Sequence, residues 1–301
     1  MEYHVPVLLK EAIDALAIDP GGIYVDCTFG GGGHSGSILE RLGPGGKLVA
    51  FDQDASAAGN LPNDPRILFV PHNFRHLKRF LRLHRIDGVD GILADLGVSS
   101  HQFDEAERGF STRFDAALDM RMDQRTPLTA AQVVATYPEQ RLHKLFEQYG
   151  EVTNSKTLAR AIATSRDKIP MGTINQFKAA LQGVVKGNPN KYFAQVFQAL
   201  RIEVNDELGA LKELLEQVPQ VLKPGGRIAI ITFHSLEDRL VKQFFKDGSF
   251  EQEEEHPFEN RTNKSVLNVI SKKPIVPGDE EMKKNPRARS AKLRVAEKKL
   301  E

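Results

Sequence analysis

The 301-residue sequence contains a single cysteine, Cys27, and no tryptophan. One thiol excludes an internal disulfide framework, and no Cys/His spacing resembles a zinc site, so no metal is predicted. The N-terminus also has no long apolar run. Its apolar stretch Val5–Leu9 is followed directly by Lys10 and Glu11. A run of that length is too short for a signal peptide or a membrane span, and we expect a cytoplasmic protein with no membrane partner.

Charge of one sign is not in excess, since 41 Lys and Arg against 40 Asp and Glu leave a formal net charge of +1. The balance hides local differences: segment 72–86 has five Arg and Lys with no acid, and segment 283–299 has eight with one acid. Acidic residues collect at 251–255 and 279–281. Such segments suit a polyanionic partner, and they are equally typical of solvated helix faces and tails.

The first hundred residues alternate between short β-branched runs and helical patterns. Alternation at this spacing predicts βαβ units and a parallel sheet covered on both faces. After the break described next, the same rhythm resumes beyond the stop-and-turn signal at 223–226 (KPGG). The seven predicted strands are Ile23–Cys27, Lys47–Phe51, Ile67–Val70, Gly91–Asp95, Arg227–Phe233, Ser265–Ile270 and Arg289–Val295.

From about residue 102 to 187 only helical patterns occur, and a long one follows over 193–222. A helical block between two halves of an α/β sheet predicts an inserted domain. We therefore predict a discontinuous sheet domain over 1–105 and 206–301, and a helical insertion over 106–205 that recognises the substrate.

The segment 25–36 (VDCTFGGGGHSG) follows the first predicted strand with four consecutive glycines. Glycines there let the backbone turn sharply and let a ligand approach the uncovered N–H groups. The glycines at 31, 33 and 36 formally match the dinucleotide fingerprint, with Asp52 about twenty residues on. A tight strand–helix turn without a ligand explains the glycines as well, so the match alone is weak.

Three acids, Asp26, Asp52 and Asp95, end the first, second and fourth predicted strands. Carboxyl ends of parallel strands form the edge where open α/β sheets bind ligands. Asp26 would repel a pyrophosphate but would favour the cationic methionine end of S-adenosylmethionine (SAM). Asp52 is predicted to accept both ribose hydroxyls. A single acid of this kind is ordinarily a cap or loop residue, and the constellation of three is what favours SAM.

Several motifs occur together and in order. They are 4–9 (HVPVLL), 26–35 (DCTFGGGGHS), 95–100 (DLGVSS), 107–111 (ERGFS), 118–123 (LDMRMD), 197–202 (FQALRI), 204–205 (VN), 233–238 (FHSLED) and 285–290 (NPRARS). In these motifs the chain resembles the bacterial 16S rRNA (cytosine-N(4))-methyltransferase family, known as RsmH or MraW. The motifs cover residues 4 to 290, which is nearly the whole chain.

The resemblance implies an α/β fold of the class I SAM-dependent methyltransferases, with a Rossmann-like, seven-stranded, mostly parallel sheet and an inserted all-helical domain. It implies methylation of a cytosine amine in the decoding region of 16S rRNA, within the small ribosomal subunit. By matching positions, the resemblance assigns SAM contacts to Gly32, Gly33, His34, Asp52, Phe74, Asp95 and Gln102. Phe74 would pack on the adenine, although helical spacing with Leu77 and Leu81 also predicts an ordinary core position. The sequence leaves the oligomeric state open, a homodimer included.

The acceptor of the amine hydrogens is harder to predict. The segment after the fourth strand (DLGVSS) lacks the proline and aromatic residues that follow this strand in amine methyltransferases of DNA. We hypothesise that Asp95 or a nearby carbonyl orients the amine together with Ser99, while Ser99 and Ser100 as loop-capping hydroxyls is an equal alternative. Further along, Ser235 with Asp238 three residues later predicts a helix cap in place of a hydrolase nucleophile.

Phosphate contacts are predicted for the basic helix 75–85, for the tail from Lys283, and for Arg108, Arg113, Arg121 and Arg125. Two further functions remain open at this level. One is a nicotinamide-dependent oxidoreductase that uses the glycine fingerprint, against which Asp26 argues. The other is a non-enzymatic ribosome-assembly factor that retains the fold, against which the intact glycine loop and its three acids argue.

Overall fold

The computed structural model describes residues 6–250 and 265–300. The beginning of the 4–9 motif and the acidic cluster 251–255 lie outside the described residues. The chain divides into two compact units: one comprises the described residues of Met1–Gly97 and Gly209–Glu301, and the other comprises Val98–Leu208.

The first unit is built on a seven-stranded sheet with the strand order β3-β2-β1-β4-β5-β7-β6. Strands β1 to β5 pair in parallel, whereas β7 runs antiparallel to both β5 and β6. The predicted seven-stranded, mostly parallel sheet is thus confirmed. The strands are β1 Ile23–Asp26, β2 Lys47–Phe51, β3 Ile67–Val70, β4 Val89–Asp95, β5 Leu222–Thr232, β6 Leu267–Val269 and β7 Lys292–Lys298.

Helices cover both faces of this sheet, and two separate apolar clusters line those faces. Period-two alternation decides the side: Val25 packs into one cluster and Tyr24 into the other, and each is almost completely buried. The helices of this unit are α1 Leu9–Ala15, α2 Gly33–Arg41, α3 Leu77–Leu83, α10 Glu207–Val221 (which begins at the end of the second unit), α11 Ser235–Asp247 and α12 Asp279–Lys284.

The second unit is helical and has an apolar core of its own, with Phe146 and Phe177 fully buried in it. Thr129 and Thr173 each begin a helix through a capping box with a glutamine three residues later. Its helices are α4 Ser100–Asp104, α5 Ala130–Thr136, α6 Glu139–Gln148, α7 Ser155–Ser165, α8 Ile174–Leu181 and α9 Pro189–Asn205.

Three local predictions were wrong. The helix predicted over 193–222 is interrupted at Asp206, whose φ of 47° is left-handed and ends α9. The turn predicted at 223–226 lies within β5, where the pairing with β4 shifts register, so the glycines form an irregularity in the strand. The N-cap position of α11 is His234, whose side chain makes no capping hydrogen bond, one residue earlier than predicted, and Asp238 instead binds Arg294.

Part of the C-terminal basic segment is engaged within the fold, whereas the basic residues at 283, 284 and 289 are exposed, so the phosphate contacts predicted there stay a prediction. Arg294 is buried and donates to Asp238 at 2.6 Å, and Lys292 lies 3.3 Å from the same carboxylate. Lys298 Nζ donates to the carbonyls of Pro219 and Leu222. These three cations are already engaged with groups of the fold.

Arginines of the second unit are engaged in the same way. The buried Arg108 donates to the carbonyls of residues 121 and 122. Arg121 forms a bidentate ion pair with Asp119, and Arg125 forms an ion pair with Asp123. Of the four arginines proposed there, Arg113 is exposed to solvent.

Within the described ranges, no helix has both the length and the apolar character needed to cross a lipid bilayer.

Candidate active site

The carboxyl ends of β1, β2 and β4 bring together the three acids singled out in the sequence. Asp26 is the last residue of β1, Asp52 follows β2 directly, and Asp95 is the last residue of β4. Strand β1 lies between β2 and β4 in the sheet. The chain therefore continues first to one side of β1 and later to the other side. This is the topological switch point at which doubly wound sheets bind ligands.

The glycine loop connects β1 to α2 and owes its path to specific positions. Gly30 and Gly32 have φ values of 50° and 78°, which favour glycine. Gly33 is needed for another reason, because a Cβ there would lie 2.2 Å from Cγ of Pro6. A Cβ at Gly31 or Gly36 would meet nothing within 4 Å. Open space over Gly31 leaves its backbone accessible to a ligand.

Asp26 organises this loop. It is almost completely buried, and its carboxylate accepts from the backbone N–H of Thr28 at 3.0 Å and from the Ser35 hydroxyl at 2.7 Å. The Thr28 hydroxyl in turn accepts from the N–H of Asp95 at 2.7 Å, which joins β1 to β4. Asp26 thus fixes the loop by hydrogen bonds and contributes a negative charge under it.

Asp52 holds the other side of the loop. Its two carboxylate oxygens accept from the N–H of Gly30 at 2.7 Å and from the N–H of Asp54 at 2.8 Å. Burial raises the pKa of Asp52 to about 6, although these two hydrogen bonds favour the charged form. Half-buried at the end of β2, the carboxylate keeps further acceptor capacity for hydroxyl groups.

Asp95 carries the clearest sign of a ligand site. Its Oδ1 is buried and has no hydrogen-bond partner in the part of the chain that the structure describes. Burial raises the pKa of this carboxyl well above its usual range, and the negative charges of Asp26 and Glu237 raise it further. Because a buried polar atom without a partner costs about 1–3 kcal/mol, an unpaired acceptor at a ligand-binding edge points to a missing donor.

His34 lies beside Asp95 at the start of α2. Its Nε2 is 3.1 Å from the carbonyl of Val7, so this nitrogen donates, and Nδ1 faces Oδ2 of Asp95 at 3.7 Å. Burial lowers the pKa of His34, although Asp26 opposes the shift. A neutral imidazole with its proton on Nε2 follows, which gives His34 a supporting role in the loop.

Two residues of the 233–238 motif (FHSLED), to which the sequence analysis assigned no role at the site, lie at the same edge. His234 and Glu237 begin α11 directly after β5, and their side chains are 7% and 3% exposed. Leu96 donates to the carbonyl of Ile231, which brings the end of β5 beside Asp95. The sequence signals were the 233–238 motif and a capping pattern that was assigned one residue too late.

Phe74 begins a short 3-10 helix over Phe74–His76 and is half-buried against the core that contains Leu77 and Leu81. The core position predicted by helical spacing is therefore observed. Asn73 donates to Gln53 at 2.8 Å, which ties this segment to the residue after Asp52. Phe74 consequently lies near Asp52 at the carboxyl end of β2.

Ser99 and Gln102 belong to the second unit, where they begin α4. The Ser99 hydroxyl accepts from the N–H of Gln102, and the Gln102 side chain accepts from the N–H of Ser99, both at 3.1 Å. This capping box is the alternative that the sequence left open for Ser99. A substrate contact by either residue stays a prediction.

The donor and acceptor set fits SAM. The loop offers an accessible backbone at Gly31, Asp52 offers acceptors for a ribose, and Asp95 offers a buried acceptor for a cationic ammonium. A dinucleotide fits less well. The fingerprint's third glycine permits close packing of helix on strand, and Gly36 has no such contact, while Asp26 would repel a pyrophosphate.

Comparison with known proteins agrees with this arrangement. The MraW methylase family matches residues 1–299. The "Ribosomal RNA small subunit methyltransferase H" of Flavobacterium johnsoniae is 57% identical over 299 residues, which cover 99% of this chain and 98% of the relative. The proteins of the same name from Bacteroides thetaiotaomicron and Cytophaga hutchinsonii are each 54% identical, with coverage of 98–99% of either chain.

Proposed function

The chain belongs to the MraW methylase family, and from that membership we propose that it transfers a methyl group from SAM to the exocyclic amine of a cytosine in the decoding region of 16S rRNA. The curated relatives carry names of small-subunit rRNA methyltransferases at 52–57% identity, which supports an rRNA substrate. The observation that carries the cofactor assignment is the unpartnered buried Oδ1 of Asp95 beside the glycine loop.

The site residues divide the work of holding SAM, which supplies an electrophilic methyl group on a cationic sulfur. The backbone of Gly32, Gly33 and His34 binds one end, and Asp52 accepts from the ribose hydroxyls. Phe74 packs on the adenine. Asp95 and Gln102 make polar contacts, and the charge of Asp26 favours the cationic methionine end.

Methylation of a cytosine amine demands more of the protein than affinity for SAM. The amine lone pair is delocalised into the ring, so the amine has to be held in line with the methyl group, and positioning of this kind contributes several kcal/mol. The target base has to be unpaired or extruded, at a cost of a few kcal/mol. Asp95 and Ser99 remain the residues proposed to orient the amine.

Recognition of the RNA is proposed for two regions. One is the helical second unit, for which substrate recognition was predicted from its place as an insertion over 106–205. The other is the α3 surface, formed by the exposed Arg79 and Arg82 on α3 and by the exposed Arg85 two residues beyond its end. We propose that this α3 surface contacts RNA phosphates within the small ribosomal subunit, in the cytoplasm.

Replacing Arg79, Arg82 and Arg85 together by glutamine is expected to weaken RNA binding and to flatten its salt dependence. Each phosphate contact contributes about 0.7–0.9 to the slope of log K against log salt concentration, so loss of three lowers the slope by roughly 2–3. Filter binding of 16S rRNA over a salt series measures both effects.

Arg75→Gln is the matched control for the α3 surface. Arg75 is already paired with Glu213 through two hydrogen bonds, at 3.0 and 2.5 Å, so its loss is expected to leave the salt slope unchanged. An unaltered slope in the triple variant would show that RNA binds elsewhere.

Affinity for SAM is expected to fall when the pH is lowered from 7 to 5. An aspartate with an ordinary pKa stays ionised at pH 5, but with its pKa at about 6 only about one-tenth of Asp52 does, so binding through the carboxylate weakens about tenfold. Calorimetric titration at several pH values measures the trend.

The variant Asp52→Asn isolates this effect, because Asp95, whose raised pKa works in the same direction, is unchanged in it. The pH dependence in the variant is expected to be smaller than in the wild type. Equal pH dependence in the two proteins would remove Asp52 from the ribose contact.

The proposed function is tested by incubating the protein with radiolabelled SAM and small ribosomal subunits from cells that lack the endogenous methyltransferase. Label is expected on 16S rRNA, in one methylated cytosine. Binding of NADH without binding of SAM would favour the oxidoreductase, and binding of SAM with no label in rRNA would refute the assigned substrate.

A further inference from the structure

The imidazole of His234 is the most unusual polar group at the active-site edge. Its side chain is 7% exposed, and both ring nitrogens are buried without a hydrogen-bond partner among the described residues. Leaving two polar atoms of one ring unsatisfied is costly, because each buried donor or acceptor without a partner costs about 1–3 kcal/mol. The two ring nitrogens can therefore form hydrogen bonds that the fold itself does not supply.

Glu237 shows how the ring is oriented. Its Oε2 accepts from the N–H groups of Phe233 and His234 at 2.8 and 3.4 Å, and these bonds fix the carboxylate at the start of α11. Its Oε1 lies 3.2 Å from Nε2 of His234, although the ring is turned away from the line of a hydrogen bond. A small ring rotation completes that bond, places the proton on Nε2 and leaves the lone pair on Nδ1.

The location of the pair connects it to the reaction. Ile231 of β5 is paired with Asp95 of β4, and this is the last pair between the two strands. His234 comes only three residues after Ile231. A Cβ on Gly97 would lie 3.5 Å from the ring of Phe233, which precedes His234. The charge of Glu237 also contributes to the raised pKa of Asp95. His234 and Glu237 therefore lie at the carboxyl edge of β4, where methyl transfer is proposed.

We propose that His234 accepts the proton released by the target amine, and that Glu237 is the positioning residue that orients its ring; this rests on the proposed function. In the step, the N4 lone pair forms the new N–C bond as the C–S bond of the donor breaks and its electron pair goes to sulfur. In the same step one N4–H bond breaks and its proton passes to Nδ1, which leaves His234 as an imidazolium that later returns the proton to solvent. Nδ1 is covered in the free protein, so base binding has to shift its neighbours, as is common for catalytic hydrogen bonds that tighten only in the complex.

The test compares the wild type with His234→Ala, Glu237→Gln and the control Lys242→Ala, which alters an exposed residue further along α11. Single-turnover methyl transfer to small ribosomal subunits at saturating SAM and RNA is expected to fall about 10²- to 10⁴-fold in His234→Ala. Affinities for SAM and RNA, measured by calorimetry and filter binding, are expected to stay within threefold. The control is expected to match the wild type.

Imidazole added to His234→Ala is expected to restore part of the rate, whereas pyrazole, a ring of the same size and a far weaker base, is expected to restore none. Equal rescue by the two rings would mean that His234 only fills space, and a rate within threefold of the wild type would exclude it as proton acceptor. If His234→Ala does not fold, His234→Asn replaces it under the same criteria.

Glu237 has a separate readout that does not depend on activity. In ¹⁵N-histidine NMR spectra, the His234 signals, identified by their loss in the variant, are expected to show a proton on Nε2 in the wild type and a mixture of tautomers in Glu237→Gln. The same tautomer in both proteins would overturn the positioning role. Absence of methyl transfer by the wild type itself would refute the proposed function, and it is thereby distinguished from failure of the His234 proposal.

Discussion

Replacing Asp95 by asparagine is expected to lower the affinity for SAM by roughly 10- to 150-fold, while the protein melts at the same temperature or a higher one. The loss of affinity corresponds to about 1.5–3 kcal/mol for one hydrogen bond to a charged partner. The unchanged or higher melting temperature follows because Asp95 is buried beside the charges of Asp26 and Glu237, which raise its pKa. An uncharged side chain of the same shape removes that repulsion.

Asp90 on the same strand provides the matched control. It lies at the other end of β4, where its carboxylate accepts from the N–H of Ile23 at 2.8 Å and pairs with Lys223 at 2.8 Å. Asp90→Asn is therefore expected to lower stability and to leave affinity for SAM unchanged. Calorimetry and thermal denaturation of both variants decide the matter, and a normal affinity in Asp95→Asn would remove Asp95 from the SAM site.

Replacing Gly33 by alanine is expected to lower both stability and affinity for SAM. The new methyl group would lie 2.2 Å from Cγ of Pro6, and the proline ring cannot yield without moving its backbone. Overpacking of this kind costs about 1–3 kcal/mol. Displacement of the segment next to Pro6 also moves the carbonyl of Val7, the partner of His34 Nε2, so the glycine loop is disturbed as well.

Gly36→Ala, one turn further along α2, is expected to have the opposite effect on stability. A Cβ there meets nothing within 4 Å, and alanine is favoured over glycine inside a helix by roughly 0.5–1 kcal/mol. Urea denaturation of the two variants measures the contrast. Equal destabilisation by both substitutions would contradict this, because it would mean that α2 packs closely on the sheet at Gly36, as in a dinucleotide-binding fold.

The parts of the site that could be predicted are those with local sequence signals. The strands around the glycine loop follow from short β-branched runs, and Asp26, Asp52 and Asp95 lie together because parallel strands bring their carboxyl ends to one edge. The glycine pattern, however, did not reveal which glycines the fold requires, because Gly33 packs on Pro6, which lies much earlier in the chain.

The parts that could not be predicted depend on contacts between distant segments. The basic segment 283–299 has the composition of a phosphate-binding tail, yet Arg294 is paired with Asp238, 56 residues away. His234 lies in the 233–238 motif, but the motif does not show where it lies in the fold, and the pairing of β5 with β4 brings it to the edge near Asp95. Composition reports charge, and only the fold shows whether that charge is already neutralised.

The central claim is that this chain methylates the exocyclic amine of one cytosine in 16S rRNA, and mass spectrometry of that rRNA tests it most directly. Small ribosomal subunits from a strain in which the gene has been deleted are analysed before and after incubation with the protein and SAM. We predict an unmethylated N4 in the decoding region before incubation and a gain of one methyl group there afterwards. A cytosine that is already methylated at N4 in the deletion strain, or that gains no methyl group on incubation, would contradict the account.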